Sequence, residues 1–371
     1  MEKNLRIIIS GGGTGGHIFP AISIANAIVG LKPNTEILFV GAEGKMEMEK
    51  VPAAGYSIKA LPVVGFHRRL TVKNLSFPFK LLKSMRLAKK IVKEFKPDIA
   101  VGVGGYASGP ILKVAQQMGI PTLIQEQNSY AGITNKLLSK KANAICVAYD
   151  GMEKYFPSKK IVHTGNPIRQ GLINVESLKA EAHEFFGIPS KTKVILVVGG
   201  SLGARTINES ILNSIQKFSE LKGVTLIWQT GKLYHNSVLQ SIADKDYGNI
   251  KVFDFINRMD YAYAAADLVI SRAGACTISE LCVVGKPTIL IPSPNVAEDH
   301  QTKNAQALAS KGAAVLVTDA QAQHKLASTA IQLIDDENEL ARLRQNIKKL
   351  ALPNAQVDIA QKIIEIANSK K

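Results

Sequence analysis

The chain has 371 residues, more than one hydrophobic core usually serves, so two domains are expected. A composition of 46% hydrophobic and 20% charged residues excludes a disordered protein, and the three scattered cysteines, Cys146, Cys276 and Cys282, exclude a disulfide framework or a cysteine zinc site. A net charge of +16 calls for an anionic partner, without choosing among nucleic acid, anionic lipid and phosphorylated substrate.

The first element is an apolar strand near 5–10. It follows the N-terminus directly, so no signal peptide is expected, and no apolar run approaches the ~20 residues of a membrane-spanning helix. Gly11, Gly12, Gly13, Thr14, Gly15, Gly16 and His17 then open a helix near 17–29. A glycine turn at a helix start gathers bare N–H groups and the positive end of the helix dipole, which suits phosphate or another anion. Gly11, Gly13 and Gly16 match G-x-G-x-x-G, and Glu43 lies near the end of a second strand at 36–40, so a dinucleotide site is one reading. His17 would face whatever the loop binds, and a helix start favours the neutral imidazole of a general base. A histidine merely bonded to backbone is the plainer alternative.

A helix near 45–54 and a strand near 58–61 lead into a basic, apolar stretch. Arg68, Arg69, Lys73, Lys80, Lys83, Arg86, Lys89, Lys90, Lys93 and Lys96 face one acid, Glu94. Within a helix at 78–95, Leu81, Met85, Ala88, Val92 and Phe95 recur at helical spacing, whereas residues 66–79 show no clear period. Such a segment can rest on an anionic membrane face without crossing it. A surface helix packed on its own sheet is the competing reading for 80–95.

A strand near 98–103 ends in another glycine turn, Gly104, Gly105, Tyr106, Ala107, Ser108, Gly109 and Pro110, before a helix at 108–118. Ligands of parallel sheets collect outside the carboxyl ends of strands, so this turn should stand near the first, and two rings of N–H donors suit a diphosphate. After a strand near 121–125 come Gln125, Glu126, Gln127 and Asn128, read as sugar contacts, with Glu126 a second candidate base or an acid orienting His17. A helix near 131–141 and strands near 144–147 and 161–163 follow. Gly165 to Gly171, rich in Gly and Pro, reads as an inter-domain linker.

The second half repeats the pattern, with strands near 193–198, 224–229, 250–253, 267–270, 287–291 and 313–316. Helices are expected near 203–218, 232–243, 258–264, 276–284, 302–311 and 322–334. The strand at 193–198 runs into Gly199, Gly200, Ser201, Leu202, Gly203, Ala204 and Arg205, the grammar of the first loop again. Two nucleotide-binding-type α/β domains with parallel sheets facing a shared cleft are expected. Small residues from Ser271 to Ala275 permit close backbone approach, and Glu280, one turn into the next helix, is placed to accept from two ribose hydroxyls. A capping box of Thr277 with Glu280 is the structural alternative. Gln301, after Asp299 and His300, could read sugar hydroxyls, while Asp244, Lys245 and Asp246 read as a solvated turn rather than a metal pair. The tail from about 338 is helical with a break at Pro353 and Asn354, and is expected to cross back onto the first domain.

Seven segments together resemble the MurG family: Gly-Gly-Thr-Gly-Gly-His-Ile-Phe-Pro (12–20), Gly-Gly-Tyr-Ala-Ser-Gly-Pro (104–110), Glu-Gln-Asn (126–128), Gly-Asn-Pro-Ile-Arg (165–169), Gly-Gly-Ser-Leu-Gly-Ala-Arg (199–205), Arg-Ala-Gly-Ala-Cys-Thr-Ile-Ser-Glu (272–280) and His-Gln-Thr-Lys-Asn-Ala (300–305). They span nearly the whole chain in the family's order. Leu202 and Cys276 depart from the glutamine and leucine frequent there, which bears on how the donor is held.

The resemblance implies a GT-B fold and an inverting, metal-independent transfer of N-acetylglucosamine from UDP-GlcNAc to the C4 hydroxyl of a lipid-linked muramoyl-pentapeptide, a step of peptidoglycan synthesis. No cofactor is implied, and no nucleic acid. Residues 1–164 would form the acceptor and membrane domain, with a helix of about 353–371 packed back on it, and 165–352 the donor domain. By resemblance, Arg169, Ser201 and the helix from Ala275 hold the diphosphate with Arg272, Cys276 and Thr277 nearby, Glu280 the ribose, and backbone at Ile256 the uracil. Asn128 and Gln301 would touch the sugar, and Thr14, Gly15 and Gly16 would lie at the domain interface. His17 is the expected base, with Glu126 and Tyr106 behind it, and Gly13, Gly104 and Gly105 would meet the acceptor diphosphate. The expected location is the cytoplasmic face of the plasma (inner) membrane, with an anionic lipid surface and cell-wall synthesis proteins as partners. A galactolipid-making glycosyltransferase, a dinucleotide-dependent oxidoreductase and a non-catalytic nucleic-acid-binding protein are the rival readings.

Overall fold

The computed structural model describes residues 4–63, 77–169, 171–243, 247–296 and 299–369, in two compact units. One comprises Met1–Ile168 with Pro353–Lys371, the other Arg169–Leu352.

The first unit is built on seven strands: β1 (Arg6–Ser10), β2 (Glu36–Ala42), β3 (Ser57–Leu61), β4 (Ile99–Gly102), β5 (Thr122–Glu126), β6 (Ala144–Val147) and β7 (Ile161–His163). Their order is β3-β2-β1-β4-β5-β6-β7, every pair parallel. Ile7, Ile8 and Ile9 of β1 are wholly buried, because a strand covered on both faces needs an unbroken apolar run. Ile7 and Ile9 pack with Ile18, Ile24 and Ile28 of the helix Gly15–Leu31 and with Ile359 and Ile363 of the helix Ala355–Asn368. Ile8 points the other way, toward Ala88, Ile91, Ile111 and Leu112 of the helices Phe77–Phe95 and Ser108–Gln117.

In the helix Phe77–Phe95 the buried stripe is Ser84, Ala88, Ile91, Val92 and Phe95. Leu81, which the spacing assigns to that stripe, is 42% exposed, and Leu82 beside it 50%. Periodicity marks a face, not how far along it a partner surface extends. Arg68, Arg69 and Lys73 lie outside the described residues, as does most of the stretch 66–79.

The second unit carries β8 (Lys193–Val198), β9 (Val224–Gln229), β10 (Ile250–Phe253), β11 (Leu268–Ser271), β12 (Thr288–Leu290) and β13 (Val315–Leu316). They are parallel, in the order β10-β9-β8-β11-β12-β13. The single helix expected near 203–218 is two, Arg205–Leu212 and Ile215–Ser219. A short helix, Lys179–Phe185, stands where the pattern has none, since seven residues give too little periodicity to register. Asp244, Lys245 and Asp246 lie outside the described residues.

In each sheet the strand order reverses direction at one place, between β1 and β4 and between β8 and β11. Loops on either side of such a switch point diverge and leave a crevice at the carboxyl ends of the strands. The three glycine turns singled out in the sequence follow β1, β4 and β8, and the small-residue stretch Ser271 to Ala275 follows β11.

Candidate active site

In the second unit these loops line a cavity of about 770 Å³, bordered by Gly199 to Ser201, Gln229, Ile256, Gly274, Glu280 and Gln301 among others. Its shape depends on backbone meeting backbone. A Cβ on Gly203 would stand 2.1 Å from the Thr230 carbonyl oxygen, and one on Gly231 2.0 Å from the Gly203 nitrogen, so both positions require glycine. Behind the loop, Trp228 Nε1 donates to Asn208 Oδ1 at 3.0 Å and Asn208 Nδ2 to the Thr230 carbonyl at 2.8 Å, fixing the helix Arg205–Leu212 against β9.

The helix Ala275–Val284 starts after Gly274 with no side chain capping it, which rules out the capping box of Thr277 with Glu280. Glu280 is buried and engaged elsewhere. Its Oε1 lies 3.0 Å from Arg169 Nε and its Oε2 accepts from the Tyr263 hydroxyl at 3.2 Å. Burial pushes the carboxyl above its ordinary pKa, with the Arg169 charge pulling against that.

Other residues of the donor set are partly committed. Arg272 NH1 contacts Asp319 Oδ1 at 2.5 Å and donates to the carbonyls of Ile291 and Pro292 at 3.2 Å, which makes Arg272 a brace between loops rather than a free phosphate ligand. The Ile256 N–H donates to Gln229 Oε1 at 2.9 Å, so of its two backbone groups the N–H is already committed within the site. Gln229 Nε2 reaches the Gly200 carbonyl at 3.2 Å, joining the Ile256 loop to the glycine turn after β8; nothing in the sequence pointed to it. Gln301 Oε1 accepts from Ser293 N at 2.9 Å, and Gln301 also borders the cavity. Ser201 and Leu202 are exposed, and burial raises the Cys276 thiol to about 12, far from a reactive thiolate.

In the first unit, the loops after β1 and β4 touch directly. A Cβ on Gly105, which has φ +84°, would lie 2.3 Å from the Gly12 carbonyl oxygen. One on Gly104 would lie 2.8 Å from His17 Nε2. His17 Nδ1 is 3.0 Å from the Gly12 carbonyl and 3.2 Å from Thr14 Oγ1, within the first turn of the helix Gly15–Leu31. Tyr106 stands out from its loop, 59% exposed.

Three expectations are corrected here. The N–H of Gly13, assigned to an acceptor diphosphate, donates to Glu47 Oε2 at 3.0 Å. That carboxyl also disfavours a dinucleotide phosphate at the loop, and Glu43 is exposed in the turn after β2. Glu126 is neither a free base nor the acid behind His17. Its oxygens accept from Asn128 N (3.1 Å), Asn128 Nδ2 (3.4 Å), Gly132 N (3.1 Å) and Asn135 Nδ2 (2.8 Å), so it shapes the loop that presents Asn128. Gln125 and Gln127 are buried rather than ready for sugar: Gln125 donates to Asn166 Oδ1 at 2.9 Å, and Gln127 to the Val103 carbonyl at 2.8 Å.

Models of the glycosyltransferase family 28 N-terminal and C-terminal domains match residues 7–147 and 194–363. The chain is 57% identical over 371 residues to a Bacteroides thetaiotaomicron protein named UDP-N-acetylglucosamine--N-acetylmuramyl-(pentapeptide) pyrophosphoryl-undecaprenol N-acetylglucosamine transferase, with 100% of both covered. It is 58% identical over 370 residues to the Parabacteroides distasonis protein of that name, covering 99% of this chain and 100% of that one. The crystal structure of Acinetobacter baumannii MurG is similar with a TM-score of 0.79 and 30% identity, over 97% of this chain and 99% of that one.

Proposed function

The chain belongs to the MurG family of glycosyltransferase family 28, with its GT-B architecture of two parallel-sheet α/β domains, and from that premise we propose how its residues carry out the family's reaction. The protein moves N-acetylglucosamine from UDP-GlcNAc to the C4 hydroxyl of a muramoyl-pentapeptide carried on pyrophosphoryl-undecaprenol.

The donor occupies the cavity of the second unit. Its diphosphate meets the backbone around Ser201 and the uncapped start of the helix at Ala275 and Thr277, where the dipole and open amides favour negative charge. Arg169 is close enough to Glu280 to exchange one anionic partner for another as charge develops on departing UDP. Glu280 accepts from the ribose hydroxyls, the Ile256 carbonyl accepts from uracil N3–H, and the Gln301 amide meets the sugar.

The first unit supplies Asn128 to the sugar and His17 to the reaction. The acceptor O4 attacks the anomeric carbon, the bond from that carbon to the UDP oxygen breaks with inversion, and His17 Nε2 takes the O4 proton. Gly104 and Gly105 are the backbone left for the acceptor's diphosphate. Thr14, Gly15 and Gly16 border the same loop.

The carrying observation is the second unit's cavity, with its glycine loop, uncapped helix start and buried Glu280 in one place. Calorimetric titration with UDP, UDP-GlcNAc and NAD tests it, followed by transfer to a lipid-linked muramoyl-pentapeptide. Tight UDP binding with turnover on that acceptor is expected. Binding of NAD with no binding of UDP would overturn the reading.

No helix among the described residues is long and apolar enough to cross a membrane. Attachment is peripheral in this proposal, on the cytoplasmic face where the lipid-linked acceptor lies, through the basic helix Phe77–Phe95 and its exposed Leu81 and Leu82. Cell-wall synthesis proteins are the neighbours expected on that surface.

A further inference from the structure

We infer that Glu47 is a positioning residue for His17 and acts on it through the peptide group between Gly12 and Gly13. The inference rests on the reading of His17 as the base. Glu47 opens the short helix Glu47–Ala53 and its side chain is fully buried. Its path exists because two neighbours are glycines. A Cβ on Gly12 would stand 2.0 Å from Glu47 Oε1, and one on Gly41 2.5 Å from Glu47 Cγ. Both oxygens are engaged: Oε1 accepts from Ala42 N, the last residue of β2, at 2.9 Å, and Oε2 from Gly13 N at 3.0 Å. The carboxyl is therefore anchored to the sheet at one end and to the loop at the other.

Gly13 N–H and Gly12 C=O are two ends of one planar unit, and in a trans peptide they point in opposite directions. Holding the N–H on Glu47 aims the carbonyl the other way. His17 Nδ1 lies there, 3.0 Å from the Gly12 oxygen. A carbonyl oxygen can only accept, so Nδ1 carries the proton and Nε2 keeps its lone pair. Thr14 Oγ1, 3.2 Å from Nδ1, then has only an acceptor's role toward it. An anion accepting from one end of a peptide group also enriches the oxygen at the other, so the two bonds reinforce each other. Carboxylate, peptide and imidazole form a line doing what the carboxylate of a serine-protease triad does directly, namely holding the tautomer in which the outer nitrogen is basic. The same line explains why Gly13 offers no amide to a phosphate.

The test is the tautomer of His17 in the full-length protein, read from two-bond ¹H–¹⁵N correlations of ¹⁵N-histidine-labelled samples and assigned by the peaks that vanish in His17→Ala. The wild type should show the Nδ1–H form. Glu47→Gln turns one acceptor into a donor facing an N–H, and should populate the Nε2–H form. The same variant should lower kcat at least about tenfold, part of the ~10²–10⁴-fold that a positioned base supplies, with the KM for UDP-GlcNAc changing less than about twofold. An Nε2–H form in the wild type overturns the inference, and needs no variant to fold. An unchanged tautomer in folded Glu47→Gln overturns it as well. If His17→Ala keeps full kcat, the base assignment fails instead, while the tautomer still decides whether Glu47 orients His17.

Discussion

Arg169 Nε and Glu280 Oε1 stand 3.0 Å apart, an ion pair between the two residues that the proposed donor site assigns to the diphosphate and to the ribose. Together with the Tyr263 hydroxyl, Arg169 compensates a buried carboxyl. In the proposed complex, each partner gains a contact with the donor.

Glu280→Ala should therefore weaken UDP by about 1.5–3 kcal/mol, the range for a hydrogen bond to a charged group. Calorimetry on the full chain measures it. Unchanged UDP affinity in a folded variant would remove Glu280 from the ribose.

Glu126→Ala leaves the buried Asn135 amide without its acceptor, at a cost of about 1–3 kcal/mol, and the half-buried Gly132 N–H loses its own. The midpoint of urea unfolding should fall, and turnover should fall with it as Asn128 loses its anchor. A variant that unfolds like the wild type yet is inactive would return Glu126 to the role of base.

Lys286 is buried, with its Nζ 3.4 Å from the Ala264 carbonyl. Burial lowers its pKa from 10.5 to about 8, with Asp267 opposing that shift. Between these values the unfolded chain holds more protons than the folded one, so stability rises with pH across that window, and the cost of the buried charge is full below it. Lys286→Met should be more stable than the wild type at pH 7 by up to about 3 kcal/mol and should lack the wild type's added rise from pH 8 to 10. Parallel urea-unfolding curves at all pH values would refute this.

Replacing Leu81 and Leu82 with serine, together with Lys80 and Lys83, should weaken binding to vesicles containing anionic lipid. Each lysine near the surface contributes about 1 kcal/mol, and salt screens that part. Transfer to a short-chain, water-soluble acceptor should be nearly unchanged. Undiminished vesicle binding would make the helix an ordinary solvated surface.

Strands such as Ile7 to Ile9 and Val194 to Val198 were legible because a doubly covered parallel strand has no alternative to an apolar run. The glycine turns were legible because left-handed backbone and backbone-to-backbone contact admit little else. What escaped were partners distant in sequence. Glu47 reads as one more acid at the start of a helix until β2 brings it beneath Gly12. Gln125 and Gln127 read as sugar ligands because their residue type is polar, and type does not reveal that Asn166, 41 positions beyond Gln125, closes the network from inside. Gln229 was silent for the same reason, its two partners lying 29 and 27 residues away.

The helix Ala355–Asn368 places wholly buried Ile359, Ala360 and Ile363 in the same core as β1. The unit that leaves the ribosome first is therefore the last to be completed, since part of its interior is translated after all of Arg169–Leu352. During synthesis, the second unit's residues are all available while the first still exposes an apolar groove along Ile18, Ile24 and Ile28. A premature stop near residue 352 would thus damage the half of the protein farthest from it in sequence, and a nascent chain of that length is a natural client for a chaperone that covers apolar surface.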